Sequence, residues 1–229
     1  MSEKSFKINV VQCRPLQIKG DARVMAPAAK IDPEDLVLEV QGPVIGHSRL
    51  DAIDRIVYVV PSVYGQMPVK ERYAVARLIG RLNHLNEQCD TRPITMLLGP
   101  GRWGTTTPSL GIPVSFSEIN TVSVLCEIVA MREDLVPDVS FGTHFFSELV
   151  EMDMLYMALV PSREGNFLSE RFFERSPNAL LELLPDAGEF EPVVRVLEVP
   201  KLASGRLVKI HADTLRQRLV CYLETPVPE

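Results

Sequence analysis

The 229-residue sequence has little that would mark it for a membrane, a metal or a nucleic acid. No apolar run approaches the roughly 20 residues that a bilayer-spanning helix needs. The opening residues, Met1-Ser2-Glu3-Lys4-Ser5, lack the charged-then-apolar order of a secretory signal. Lys and Arg number 24 against 30 Asp and Glu, a formal charge of −6 with no basic cluster, which argues against a nucleic-acid surface. Cys13, Cys89, Cys126 and Cys221 stand far apart, none in the paired spacing of a metal site, and no two histidines have ligand spacing, so no transition-metal site is expected. Three of these cysteines sit in apolar-periodic stretches, where a reduced thiol behaves as a small hydrophobe, and a reducing cytoplasm is the expected compartment. Internal repeats and low-complexity tracts are absent. With 46% hydrophobic and 24% charged residues, the composition is that of an ordinary globular protein with one large core or two modest ones.

Hydrophobic periodicity sets the expected elements. Residues 7–12 alternate and then turn apolar, a strand stopped at Pro15. Residues 36–40 and 55–60 read as strands, the second β-branched and nearly all apolar, with a turn or short strand over 44–48 between them. Pro68 suits the first turn of a helix over 68–88, whose apolar face is Tyr73, Val75, Ala76, Leu78, Ile79, Leu82 and Leu85. Strands are expected over 94–98, 121–130 and 155–160, with an irregular stretch over 105–114. A short helix over 144–151 has Thr143 as its N-cap. Broken helix follows around 167–174 and 179–184. Residues 193–199 and 206–212 would form a closing antiparallel pair turned at Ala203-Ser204-Gly205, and the tail from Thr225 would fray. Recurring strand–helix–strand order predicts an α/β fold with a mixed, partly parallel sheet flanked by helices.

The densest chemistry lies in Leu98-Gly99-Pro100-Gly101-Arg102-Trp103-Gly104, where one arginine and the only tryptophan stand among three glycines and a proline. A strand ending in such a turn can bring bare backbone N–H groups to an anion, and Arg102 adds a planar fork suited to phosphate or carboxylate. Thr105, Thr106 and Thr107 add hydroxyls. The same residues would also make a tight turn, with Trp103 capping the core and Arg102 paired to an acidic neighbour. In Ser140-Phe141-Gly142-Thr143-His144-Phe145-Phe146, His144 stands at a helix N-terminus, where an anionic ligand is favoured. It would serve there as a neutral nucleophile or base, or else as a structural histidine among the phenylalanines. Gln12 and Arg14, two apart, share one face of their strand, able to hold a nucleotide phosphate or simply to line an exposed edge. His47, His84 and His211 carry weaker signals.

Two resemblances follow from these stretches. Val10-Val11-Gln12-Cys13-Arg14-Pro15 resembles the closing strand of the ATP-binding domain of phosphoenolpyruvate synthase and pyruvate, phosphate dikinase. That resemblance implies that Gln12 and Arg14 face ATP. Residues 99–104, Leu110-Gly111-Ile112-Pro113-Val114 and Gly142-Thr143-His144-Phe145-Phe146 resemble the C-terminal region of bacterial PEP/pyruvate-binding-domain proteins, over residues 36–184. On this reading residues 1–19 end a preceding ATP-binding domain, 20–35 are a linker, and 36–229 form a C-terminal α/β domain of a longer polypeptide. The resemblance implies ATP and Mg²⁺ in the intact protein, with no cofactor held by this piece alone. The residues themselves point to a small anionic ligand at Gly99, Gly101, Arg102, Gly104, Thr105, Thr106 and Thr143, and the resemblance implies an upstream ATP-binding domain as partner. His144 would be the catalytic residue, by analogy with the histidine through which the dikinases relay phosphate. Where the group has Ser-Ser-Asp after the last glycine, this chain has Thr105-Thr106-Thr107, which leaves a metal role for the loop in doubt. A non-catalytic module that senses an anion or docks a partner, as a homodimer or otherwise, is the competing expectation.

Overall fold

The computed structural model describes residues 30–85, 92–130, 140, 144–202 and 205–225. The chain opens with strands β1 (Leu36–Gln41), β2 (Val44–Ile45), β3 (Arg49–Ile53) and β4 (Arg55–Val59). Helices α1 (Pro61–Tyr64) and α2 (Val69–His84) lead to β5 (Thr95–Pro100). A small excursion follows, with β6 (Arg102–Trp103), β7 (Gly111–Ile112) and α3 (Phe116–Ile119). Then come β8 (Val124–Ile128), α4 (His144–Glu151), β9 (Leu155–Leu159), β10 (Phe167–Leu168), α5 (Glu170–Arg175) and α6 (Leu180–Leu183). The chain closes with β11 (Val194–Glu198), α7 (Val199–Leu202), β12 (Leu207–Asp213) and β13 (Arg218–Glu224).

Two large sheets result, and the larger is mixed and partly parallel, as its periodicity predicts. Its order is β11-β4-β5-β8-β9-β2. Strands β4, β5, β8 and β9 are parallel neighbours, and β11 and β2 run antiparallel at the edges. Because the parallel strands stand side by side in sequence order, every crossover packs onto the same face. The second sheet, β10-β1-β13-β12-β3, is antiparallel throughout.

Alternate residues of the mixed sheet serve two cores. Val57, Val59, Leu97, Leu125, Tyr156 and Val196 pack under α2, α3, α4 and α6. Ile56, Tyr58, Met96, Leu98, Cys126 and Leu159 pack onto Leu38, Val40, Ile210, Leu219 and Cys221 of the antiparallel sheet. The layers are therefore helices, mixed sheet, antiparallel sheet. Double coverage explains why β4, β8 and β9 are apolar apart from Arg55 and Glu127, with all of their residues buried.

Several sequence expectations are corrected. Residues of β11 and β12 do not pair with each other, because β11 buries Val194 and Val196 on one face and Leu197 on the other and so fits the doubly covered sheet beside β4. Strand β12 instead lies between β3 and β13, two strands that periodicity did not reveal. The stretch at 167–174 begins as β10, and α5 starts only after Ser169, whose side chain accepts from Phe172 N. Tyr73 of α2 and Leu85, just past its end, are exposed rather than core. Arg72 is buried instead, its guanidinium donating to the carbonyls of Met67, Pro108 and Gly65. No helix among the described residues is long and apolar enough to cross a membrane.

The short β6–β7 pair depends on a missing side chain. A Cβ on Gly111 would lie 2.0 Å from the Arg102 carbonyl oxygen and 2.4 Å from its nitrogen. Gly111→Ala must therefore part the two strands, and urea unfolding should show a loss of about 2 kcal/mol or more. Gly188→Ala meets nothing within 4 Å, and its stability should stay within about 0.5 kcal/mol of the parent.

Candidate functional site

The glycine loop leaves the carboxyl end of β5 and folds back over β8 on the helix-covered side. Gly99 makes room for Trp103: a Cβ there would sit 2.8 Å from the indole and 2.5 Å from Ile112 Cδ1. Gly101, at φ +68°, turns the chain in the left-handed region that favours glycine. Its N–H donates to Ile128 O (2.9 Å), and that of Gly104 donates to Ile112 O (3.0 Å). Trp103 is buried, and its Nε1 donates to Cys126 O (3.1 Å).

Beneath the loop lies a carboxylate that periodicity alone did not single out. Glu127, on β8, is fully buried. Its Oε1 accepts from Trp103 N (3.1 Å) and from Ser140 Oγ, and its Oε2 accepts from Ser140 N (2.8 Å) and Tyr156 Oη (2.7 Å). Burial pushes the Glu127 carboxyl above the usual range, and the hydrogen bonds from Ser140, Tyr156 and Trp103 pull the other way. The Tyr156 hydroxyl is pushed up as well, by burial first and by the Glu127 charge second. The available sequence signal was one acidic residue inside the apolar run Val124-Leu125-Cys126-Glu127-Ile128.

The two motif stretches meet here. Gly104 lies so close to the Phe145 ring that a Cβ would fall 2.3 Å from it. Phe145 also meets Phe116 edge-on, at 6.3 Å between centroids. Ser140 and Trp103, 37 positions apart, share the Glu127 carboxylate, and Ser140 Oγ approaches Trp103 O at 3.4 Å. His144 opens α4 and is exposed. Arg102 is half-buried on β6.

The amides of Gly101, Trp103 and Gly104 are engaged within the protein, so an anion at this edge would meet side chains rather than these N–H groups. Thr105 Oγ1 closes its own turn, accepting from Thr107 N (3.1 Å) and donating to Thr107 O (3.2 Å), while Thr106 is exposed. Thr143, Gln12 and Arg14 lie outside the described residues, as do Cys13 and Cys89. Cys126 and Cys221 are buried free thiols, both pushed up by burial. The remaining histidines are tied to structure or buried. His47 Nδ1 meets Asp153 Oδ1 at 2.5 Å, His84 Nε2 meets Ser117 O at 2.9 Å, and His211 is buried in β12. Among the described residues, no group of three or more His, Cys, Asp or Glu is placed to hold a metal ion.

Comparison with known proteins finds no matching family model, no matching curated protein and no matching solved structure.

Removing the buried acceptor should be costly. Glu127→Ala leaves donors from three segments unsatisfied, and chemical denaturation should show a loss on the order of 3 kcal/mol. Glu127→Gln tests the pKa direction. A carboxyl raised above its unfolded value of 4.5 contributes stability that is complete below that pH and lost as pH rises through the folded value. Urea midpoints measured across acid to neutral pH should therefore show the wild-type advantage over Glu127→Gln shrinking as pH rises.

Proposed function

We propose that this chain is the α/β domain of an ATP-dependent phosphotransferase of the phosphoenolpyruvate synthase and pyruvate, phosphate dikinase type, and that the carboxyl edge of its mixed sheet receives a small anionic ligand. One observation supports the reading. Of the two stretches that carry the resemblance, the glycine loop is held through Trp103 N on the Glu127 carboxylate, which Ser140 ahead of α4 also meets, and the loop touches the start of α4 through Gly104 and Phe145.

Phosphoryl transfer is catalysed largely by positioning and by positive groups around the moving phosphate. Arg102 would supply the guanidinium and Thr106 a hydroxyl. The exposed His144 imidazole would be open to a phosphoryl donor held by a neighbouring domain. The Glu127 network holds the loop backbone in place, so that the ligand meets a preformed edge rather than a mobile turn. ATP itself would be met by Gln12 and Arg14 together with the upstream domain, and the chain alone should turn over no ATP.

Isothermal titration with phosphate, pyruvate and phosphoenolpyruvate tests the anion site. At least one should bind, and Arg102→Gln should weaken it by about tenfold, near 1.4 kcal/mol. Affinities unchanged in that variant, or no heat from any of the three, would remove the site. Incubating the polypeptide that includes the ATP-binding domain with ATP labelled at its β or γ phosphate separates catalysis from sensing. Label on the wild type that is lost in His144→Ala supports the relay, whereas anion binding without label identifies a sensing module.

A further inference from the structure

We propose that a cavity on the other face of the same sheet edge binds an organic cation, an ammonium or guanidinium group carried on an apolar or aromatic body. The cavity, of about 630 Å³, opens where β4, β8 and β9 end, between the mixed sheet and the β10–α5 segment. That volume suits a small molecule. This inference concerns a different site and does not depend on the phosphotransferase reading.

The walls are aromatic and apolar. Tyr58 and Phe173 pack at 4.4 Å between centroids with their rings tilted by 32°, and Phe167 and Ile128 complete that side. Tyr58 is only 6% exposed, yet its hydroxyl makes no hydrogen bond to any described residue. Tyr58 lines the cavity, and its hydroxyl is not among the enclosed unpartnered atoms of the described residues, so it is open to a ligand there.

The polar groups give the cavity its sign. Glu170 and Glu174, one helical turn apart on α5, both line it, and neither has an ion-pair partner among the described residues. Like charges at this spacing repel, and a cation between them removes the repulsion. The Tyr58 hydroxyl is pushed up first by burial and then by the charges of Glu170 and Glu174. It therefore stays protonated, with a lone pair available to a ligand donor. Arg195 also lines the cavity as a cation, with its Nη2 donating to the carbonyls of Ser176 (2.6 Å) and Glu174 (3.4 Å), so the two carboxylates leave the lining with one negative charge in excess. The neighbouring arginines of α5, Arg171 and Arg175, line a separate groove. The helix thus turns its carboxylates toward the aromatic cavity and its guanidiniums away. Carboxylates beside aromatic faces are the surroundings that select an organic cation over its neutral counterpart.

Titration of the protein with phenethylamine and with 2-phenylethanol, a neutral molecule of nearly the same shape, tests the proposal. The amine should bind at least about tenfold more tightly than the alcohol. Glu170→Gln combined with Glu174→Gln should remove that difference while leaving the alcohol unaffected. Both sites are exposed, so the fold should be retained, with an unchanged thermal midpoint as the check. Tyr58→Phe, which deletes only the hydroxyl, should weaken the amine by about threefold. Equal affinity for amine and alcohol, unchanged amine affinity in the double variant, or no binding of either at millimolar concentration would overturn it.

Discussion

A carboxylate placed where no water reaches it must be met by donors, or it will not stay charged. Glu127 is that group, and much of the local architecture follows from supplying it. Tyr156 comes from the adjacent parallel strand, Ser140 from the segment before α4, and the Trp103 amide from the loop after β5. To bring that amide back over β8, the chain must reverse immediately after Pro100, which requires the left-handed turn at Gly101. The indole then lies across β5, and only a residue without a side chain fits at position 99. Gly104 in turn admits Phe145, which anchors the first turn of α4. The glycines that look like an anion cradle thus meet the steric demands of a chain folded against a buried acceptor.

Legibility in the sequence followed burial. Strands β4, β5, β8 and β9 are readable because each is covered on both faces, and double coverage writes a predominantly apolar run. Strand β3, Arg-Leu-Asp-Ala-Ile, sits at the edge of a sheet with one open face and carries two charged residues, so its pattern has no strong period. Strand β13 was lost for a related reason: it is buried through Leu219, Val220 and Cys221 and then runs out toward Tyr222 and Glu224. Assigning β11 and β12 to one hairpin failed because partner choice depends on how many faces each strand must cover. Adjacency in sequence does not carry that information.

The site was legible by composition and illegible by contact. An arginine and a tryptophan among glycines, and a histidine after a glycine, stand out in any reading, and the fold brings those two stretches together. What joins them is a single glutamate. In a strand, one acidic residue ordinarily marks the solvated face, and only the helices packed over β8 turn position 127 into an interior one. The cavity residues left still less trace. They come from the ends of parallel strands, from β10 and β11, and from one short helix, where the Glu-Arg-Phe-Phe-Glu-Arg order reads as a solvated surface until the burial of Phe173 fixes which way each charge points.

One strand end serves both faces of this edge. Glu127 points into the network under the glycine loop, and its neighbour Ile128 lines the acidic aromatic cavity, as period-two alternation requires. Arg102 and His144 belong to the first side, Glu170 and Glu174 to the second, and the sheet between them has a side-chain layer on each face. A ligand on either side therefore need not touch the other, and opposite charge preferences can coexist at one edge. What the two sides share is the backbone of β8, whose last carbonyl, that of Ile128, accepts from Gly101 N at 2.9 Å. That hydrogen bond fixes the loop to the strand whose next side chain walls the cavity. A displacement of the end of β8 would thus be felt in both places at once, through one covalently continuous pair of residues.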